Sequence, residues 1–472
     1  MNRVVPPLVF VICASSVIDV ATDTPSVEGH WLGPFFQLTP ATQATSACCA
    51  GVLIVLAAWM LFGRTGDSSV SQSSHDVWTR VLRLLPMTSM LFAFFWTRPH
   101  VYPALVIPWS ALVVGAPLFL CVATLKRWPP FYIATAAAIA GVAVRMVHFA
   151  RFSMDEGADM LPLTRSALAR FVAGTAPYTH YDLPNPVPLT YYPLTWLAFL
   201  PAYLAHVDLR WTNIAAEMAI LAAIVRAGKA RENAPEQDGN IGTAFMNPAD
   251  VALLAWSFYF LLPSSVYFDR ITTAPVAWAL LAWCVALSAR ESKYASVVLG
   301  LTAAATPLAA IVGPFVFVMW WRRLSLRGAV SRTGKAALVA TLILAPFVVW
   351  SPRGFLEGAV LWFNDLSRYP GTTWRAYRPW QRYIGFGGLF WRAGLERALA
   401  PVQWSLVGGL TALFARKRAR AGLLPSYVAA AFVAFMAFNS VHWPYFYQPA
   451  LFGALVAIAV ASPELTPRDL AP

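Results

Sequence analysis

Charge is what this sequence has least of. Only 12% of its 472 residues are Asp, Glu, Lys or Arg, whereas soluble domains carry about 25%. A shortfall of that size excludes an ordinary water-soluble globule. Acids are the scarcer sign, 22 against 35 basic residues, for a net charge of +13. The basic residues sit in short clusters beside apolar runs, as in Lys126-Arg127, Arg322-Arg323 and Arg416-Lys417-Arg418. They read as cytoplasmic anchors of membrane helices, not as a nucleic-acid surface. Cysteine is sparse too. Cys13, Cys48, Cys49, Cys121 and Cys284 lie in or beside apolar segments without C-x-x-C spacing, which points to packing and away from a metal site. Strict apolar–polar alternation is also missing, and with it the mark of a membrane β-barrel.

What is present is long apolar sequence, 58% hydrophobic and 14% aromatic. In lipid the backbone must satisfy itself within each segment, so continuous runs of this kind predict helices. The expected fold is all-α, a polytopic transmembrane bundle. Apolar segments fall near 4–20, 47–63, 83–97, 102–124, 130–149, 191–206, 209–227, 249–265, 271–289, 295–321, 335–350, 401–415, 423–438 and 443–461. Set against the ~20 residues a crossing needs, they predict about 12–14 spans, some of them broken or re-entrant. Residues 1–20 read as an uncleaved first helix, not as a signal peptide. Residues 1–125 read as an N-terminal four-helix module with no evident chemistry, 126–461 as the main membrane domain, and 462–472 as a short disordered tail.

Placing the basic clusters in the cytoplasm puts three regions on the opposite, extracytoplasmic face: an acidic loop at 150–190, a long loop at 351–400 and a short one at Asn439–Pro444. Every polar, aromatic-rich loop thereby falls on one side. Arg226, Lys229 and Arg231 break the count, and a broken helix near 192–227 or at Thr306-Pro307 restores parity.

The acidic loop carries Asp155, Glu156, Asp159 and Asp182. Its middle, Met160 to Phe171, predicts an amphipathic helix with Leu161, Leu168 and Phe171 on one side and Arg165 and Arg170 elsewhere. Beyond it, Pro177, Tyr178, Tyr181, Pro184, Pro186, Pro188, Tyr191, Tyr192 and Pro193 suit a rigid non-helical lip, since proline fixes φ and removes a donor. A carboxylate at this boundary suits proton abstraction from a sugar hydroxyl. Asp155 and Asp159, four residues apart, also offer oxygen ligands to a divalent cation. The 351–400 loop supplies Arg353, Arg368, Arg375, Arg378, Arg382 and Arg392 with Trp362, Trp374, Trp380 and Trp391. Arginine forks match phosphate oxygens, and tryptophan stacks on sugar rings at an interface. Arg375, Arg378 and Trp374 occupy the densest part. His442 lies in the last loop, where it steadies a phosphate or a base. Asp269-Arg270 reads as an interfacial ion pair, and His180, Asp182 and His206 as structural.

The order Gly157-Ala158-Asp159, Ala167-Leu168-Ala169, Gly174-Thr-Ala-Pro177-Tyr178 and Tyr191-Tyr192-Pro193-Leu194 resembles the first extracytoplasmic loop of GT-C glycosyltransferases. It is most similar to that of the polyprenyl-phosphate-mannose-dependent α-mannosyltransferases. Tyr267-Phe268-Asp269-Arg270, Thr306-Pro307 and His442-Trp443-Pro444-Tyr445 follow in the matching order, so the resemblance covers roughly 130–460. It departs at Leu163, where relatives often have Tyr, and at Ala305, where they often have Lys. The resemblance implies an inverting transferase in a bacterial inner or plasma membrane, acting on the extracytoplasmic face. It would move mannose, or another hexose or pentose, from a polyprenyl-phosphate donor to a glycan or glycolipid acceptor. It implies Asp159, fifteen residues before Gly174, as the base, with Asp155 the runner-up and His442 assisting. Glu156, Arg375, Arg378, Tyr178, Tyr192, Trp374, Asp269 and Arg270 are the expected substrate contacts, beside membrane lipid, and no cofactor is required. A surface-glycan ligase or polymerase shares the lipid-linked substrate and the arginine-rich late loop. A transporter or flippase for lipid-linked sugars would instead place its charges at mid-membrane.

Overall fold

The computed structural model of the chain describes residues 4–22, 40–62, scattered positions between 84 and 126, 128–155, 160–183, 187–229, 247–362, 386–417, 419–439 and 444–461. Most of these are helical. In chain order the helices are α1 (Val5–Thr22), α2 (Pro40–Phe62), α3 (Pro130–Arg151), α4 (Met160–Val172), α5 (Pro193–Leu197), α6 (Leu200–Leu204) and α7 (Arg210–Lys229). Then follow α8 (Pro248–Phe260), α9 (Pro263–Ile271), α10 (Ala274–Ala289), α11 (Ala295–Ala305), α12 (Ala309–Arg323) and α13 (Leu326–Trp350). The last are α14 (Pro352–Phe355), which runs into a π-helical turn over Leu356–Leu361, α15 (Phe386–Arg392), α16 (Leu399–Arg416), α17 (Leu424–Ala437) and α18 (Gln448–Val460). A two-stranded antiparallel ribbon, β1 (His180–Tyr181) with β2 (Val187–Pro188), is the one sheet among the described residues.

Three helices are long and apolar enough to cross a membrane, Pro130–Arg151, Leu326–Trp350 and Glu396–Arg416. Pro248–Phe260 with Ser264–Ile271, bent by 67°, passes the same test as one broken span. Other apolar runs form shorter helices, among them Ala274–Ala289, Ala421–Ala437 and Tyr445–Val460. This is the architecture of a helical membrane protein. It has fewer straight crossings among the described residues than the 12–14 spans expected.

The breaks have a local cause. A residue before proline is pushed out of the α region by the pyrrolidine ring. Leu262 is extended (ψ 143°) before Pro263, and Thr306 is extended (φ −152°, ψ 139°) before Pro307. The apolar run 295–321 is therefore two helices, α11 and α12; 191–206 also divides, into α5 and α6, at Ala198-Phe199, which stay in the α region. The two broken runs meet: Thr195 Oγ1 donates to the Ala305 carbonyl at 2.5 Å, an oxygen at the end of α11. In a bilayer such an oxygen needs a partner from the protein itself.

Helix α18 is buried along almost its whole length and packs against α1, α7, α8, α10 and α17. At the periphery, α13 exposes Val330, Leu338, Leu342 and Val349, the last 81% accessible. An apolar stripe of that kind suits contact with lipid chains. Helices α1 and α2 pack on α18 and α17 within the same hydrophobic core. The remainder of the expected N-terminal module and the 462–472 tail lie outside the described residues.

Candidate active site

Helix α3 delivers the chain to the acidic loop, and Arg210 of α7 holds its exit. The Arg210 guanidinium donates to the carbonyls of Phe152 (2.7 Å) and Phe149 (2.8 Å) and is balanced by Asp208 at 2.5 Å. Asp155 follows, about half exposed, with Oδ1 accepting from Arg165 at 2.7 Å and the Ser153 hydroxyl beside Oδ2 at 3.5 Å. Helix α4 has the amphipathic form its sequence predicts. Leu161, Leu163, Ala167 and Leu168 are buried, Phe171 is half-buried, and Arg165 and Arg170 are exposed. Gly174 closes the helix at φ +71°, a left-handed turn in which a residue without Cβ avoids a clash. Its N–H donates to Phe171 O at 3.0 Å.

Beyond Gly174 the lip folds back on itself as β1 and β2. Tyr178 pins it from inside. Only 2% exposed, it donates its hydroxyl to the Tyr191 carbonyl at 2.7 Å and accepts from Trp196 Nε1 at 3.3 Å. The Tyr181 hydroxyl donates to the Pro177 carbonyl. Tyr192 is half-buried, its ring 6.3 Å from that of Phe355. Burial pushes the phenols of Tyr178, Tyr181 and Tyr192 above the usual tyrosine range, so all three are neutral donors at ordinary pH. Tyr178, expected to touch substrate, shapes the lip from beneath; Tyr192 lies nearer its surface.

The lip rests on the foot of the late loop. Ser351 Oγ donates to Tyr178 O at 3.0 Å. A Cβ on Gly354 would collide with that same carbonyl oxygen, and one on Gly358 would collide with the oxygen of Leu189. The far end of the late loop docks on the last one: a Cβ on Gly387 would lie 2.9 Å from Asn439 O, and Phe386 and Phe390 pack on Phe438. The last loop in turn reaches the first. Tyr445 lies 4.0 Å from Met160 Sδ through its hydroxyl and 5.6 Å from Phe268 between ring centres. Met160 directly follows Asp159, Tyr445 stands three residues after His442, and Phe268 precedes Asp269. The three loops assigned to one face from charge alone are thus joined at their edges. Asp159, Glu156, Trp374, Arg375, Arg378 and His442 themselves lie outside the described residues.

The expected Asp269–Arg270 pair does not form. Neighbours in a helix point about 100° apart, so the two side chains of α9 diverge. Asp269 turns inward to Arg145 of α3, with Nε to Oδ2 at 2.5 Å and both side chains buried. Arg270 lies over the rings of Phe152 (4.2 Å) and Tyr267 (5.1 Å). Arg145 and Glu217, both absent from the expected site, belong to a buried polar cluster. The available signal was a charged residue inside an apolar run, which in a membrane bundle marks function by default. Models of protein families, curated proteins and solved structures were compared with this chain, and none matches.

Proposed function

We propose that this chain is an integral-membrane inverting glycosyltransferase with a GT-C-like fold. It would transfer a sugar, mannose or another hexose or pentose, from a polyprenyl-phosphate donor to an extracytoplasmic glycan or lipid acceptor. The observation that carries the reading is the meeting of the three loops: the lip on Ser351, Gly354 and Gly358, α15 on Asn439, and Tyr445 on Met160. Residues from 52 to 285 positions apart in sequence are in contact there, and one substrate would bridge them.

In this reading Asp159 removes the proton from the acceptor hydroxyl, whose oxygen attacks the anomeric carbon as the lipid phosphate leaves. The leaving group is already an anion, so it calls for cations and not for an acid. Arg375 and Arg378 neutralise it, Trp374 stacks on the sugar, and His442 steadies the phosphate. The carboxylate of Asp155 is already engaged by Arg165, which favours Asp159 over it. No cofactor enters this scheme, and the carboxylates leave room for a divalent cation. Asp159→Asn is expected to lower transfer by at least about 100-fold, the usual worth of a general base, with folding intact. Radiolabelled sugar transfer from membranes to acceptor measures it. Wild-type activity in Asp159→Asn with loss in Asp155→Asn moves the base to Asp155; activity in both removes the mechanism.

One observation favours the transporter reading. Arg145, Asp269 and Glu217 are buried among helices beside a broken span, a pattern that transporters share. Detergent-solubilised protein decides, because an enzyme transfers sugar without two compartments and a transporter does not.

A further inference from the structure

Away from the lip, the bundle encloses a second polar cluster. It is drawn from α3 (Arg145), α7 (Asn213 and Glu217), α8 (Tyr259), α9 (Ser265 and Asp269) and α18 (Gln448), and none of these is more than 2% exposed. Arg145 is fully engaged. Beyond Asp269, it donates to the carbonyls of Gly141 (3.1 Å) and Phe260 (3.0 Å) and to Ser265 Oγ (2.7 Å). Its one positive charge cancels that of Asp269, which leaves Glu217 as an acid without a counter-charge in the cluster. Glu217 Oε1 accepts from the Tyr259 hydroxyl at 3.3 Å, and that hydroxyl accepts from Gln448 Nε2 at 2.7 Å.

Three atoms are left over. Glu217 Oε2, Gln448 Oε1 and Asn213 Oδ1 are buried with no hydrogen-bond partner among the described residues. Asn213 spends its two amide hydrogens on the carbonyls of Asp269 (2.8 Å) and Thr272 (2.7 Å), and it stands one turn before Glu217 on the same face of α7. Gln448 and Glu217 share the Tyr259 hydroxyl. All three orphans are acceptors, and orphaned buried polar atoms are rare enough in native proteins to call for an explanation. A water molecule would supply donors yet leave a buried negative charge standing. A divalent cation would overshoot the single charge to be balanced.

We propose that Glu217, Gln448 and Asn213 form a binding site for one monovalent cation, either a proton on the carboxylate or an alkali ion shared among the three oxygens. Among the described residues, the helices packed most closely on α7 offer no other neutralising group. Helix α8 brings Tyr259, and α9 brings Asp269 with Arg270, which is turned to the Phe152 and Tyr267 rings. Helix α10 has Cys284 as its one titratable residue, and α18 has no charged residue at all. The site stands apart from the sugar-transfer reading, because thermal stability reports it whether or not sugar moves.

The test uses the full chain in lipid nanodiscs, melted over a range of sodium at constant ionic strength with choline as replacement. The melts are then repeated over a range of pH in choline alone. An alkali ion gives a saturable, sodium-specific rise of about 2 °C or more, lost in Glu217→Gln and shifted to several-fold higher sodium in Gln448→Leu. A proton gives no sodium response. It gives instead a pH-dependent melting temperature that Glu217→Gln flattens, together with a protonated-carboxyl band in wild-type infrared difference spectra. The band is assigned to Glu217 by its loss in Glu217→Gln, or by its shift in Glu217→Asp should the glutamine variant fail to fold. Wild-type protein with neither a sodium response nor the carboxyl band overturns the proposal.

Discussion

Single residues decide how the lip holds its shape. Tyr178→Phe strips the Tyr191 carbonyl of its donor and Trp196 Nε1 of its acceptor. The buried Trp196 N–H left without its acceptor costs about 1–3 kcal/mol, so the variant should melt measurably lower by calorimetry while keeping its helices. pH gives a second handle. Burial raises the phenols of Tyr178, Tyr181 and Tyr192, so the folded state keeps protons that the unfolded chain gives up above about pH 10. Their contribution is whole below that pH and is lost as pH rises toward the raised values. Melting temperature should therefore fall between about pH 10 and pH 11, less steeply in Tyr178→Phe. Residue identity was legible from sequence where the chemistry is local, as with the buried and exposed faces of α4. It was illegible where partners are remote: nothing near Asp269 names Arg145, which lies 124 positions earlier.

At the scale of elements, proline decides where apolar runs become two helices. Thr306-Pro307 could be read in advance because a residue before proline leaves the α region. Leu262-Pro263 obeys the same rule, yet the break falls inside what reads as one continuous apolar segment, 249–265. Helix ends that meet across the bundle, as Thr195 meets Ala305, carry no sequence signal because each half looks like an ordinary polar residue. The contact between lip and late loop is similarly silent. Gly354→Ala would drive a methyl into the Tyr178 carbonyl, and neither backbone can yield without moving the lip. We expect loss of transfer together with faster limited proteolysis of the 177–192 segment. Gly313→Ala, where an added Cβ meets nothing within 4 Å, should leave both unchanged.

For the whole molecule, the Arg145–Asp269 pair ties α3, which leads into the acidic loop, to α9, whose Phe268 packs on Tyr445. Removing one partner of a buried ion pair strands the other charge and costs about 3–5 kcal/mol, whereas replacing both by apolar groups is often neutral. Arg145→Met and Asp269→Leu should each lower the melting temperature sharply in detergent, and the double variant should regain most of the loss. Equal loss in all three would mean that the pair is stabilised by more than mutual charge. Helical membrane architecture followed from composition and from the unbroken apolar runs. The number of straight crossings did not follow, because hydropathy counts apolar residues and is blind to a 67° bend.

The two bare glycines at the foot of the late loop have a further consequence. Gly354 and Gly358 each admit a carbonyl oxygen where a side chain would stand, and they are spaced by about one turn of helix. Together they act as a two-point gauge. Inserting one residue between them swings the second notch about 100° out of line, whatever the charge or polarity of the added residue. The seam therefore depends on the spacing of the two glycines as much as on their lack of a side chain.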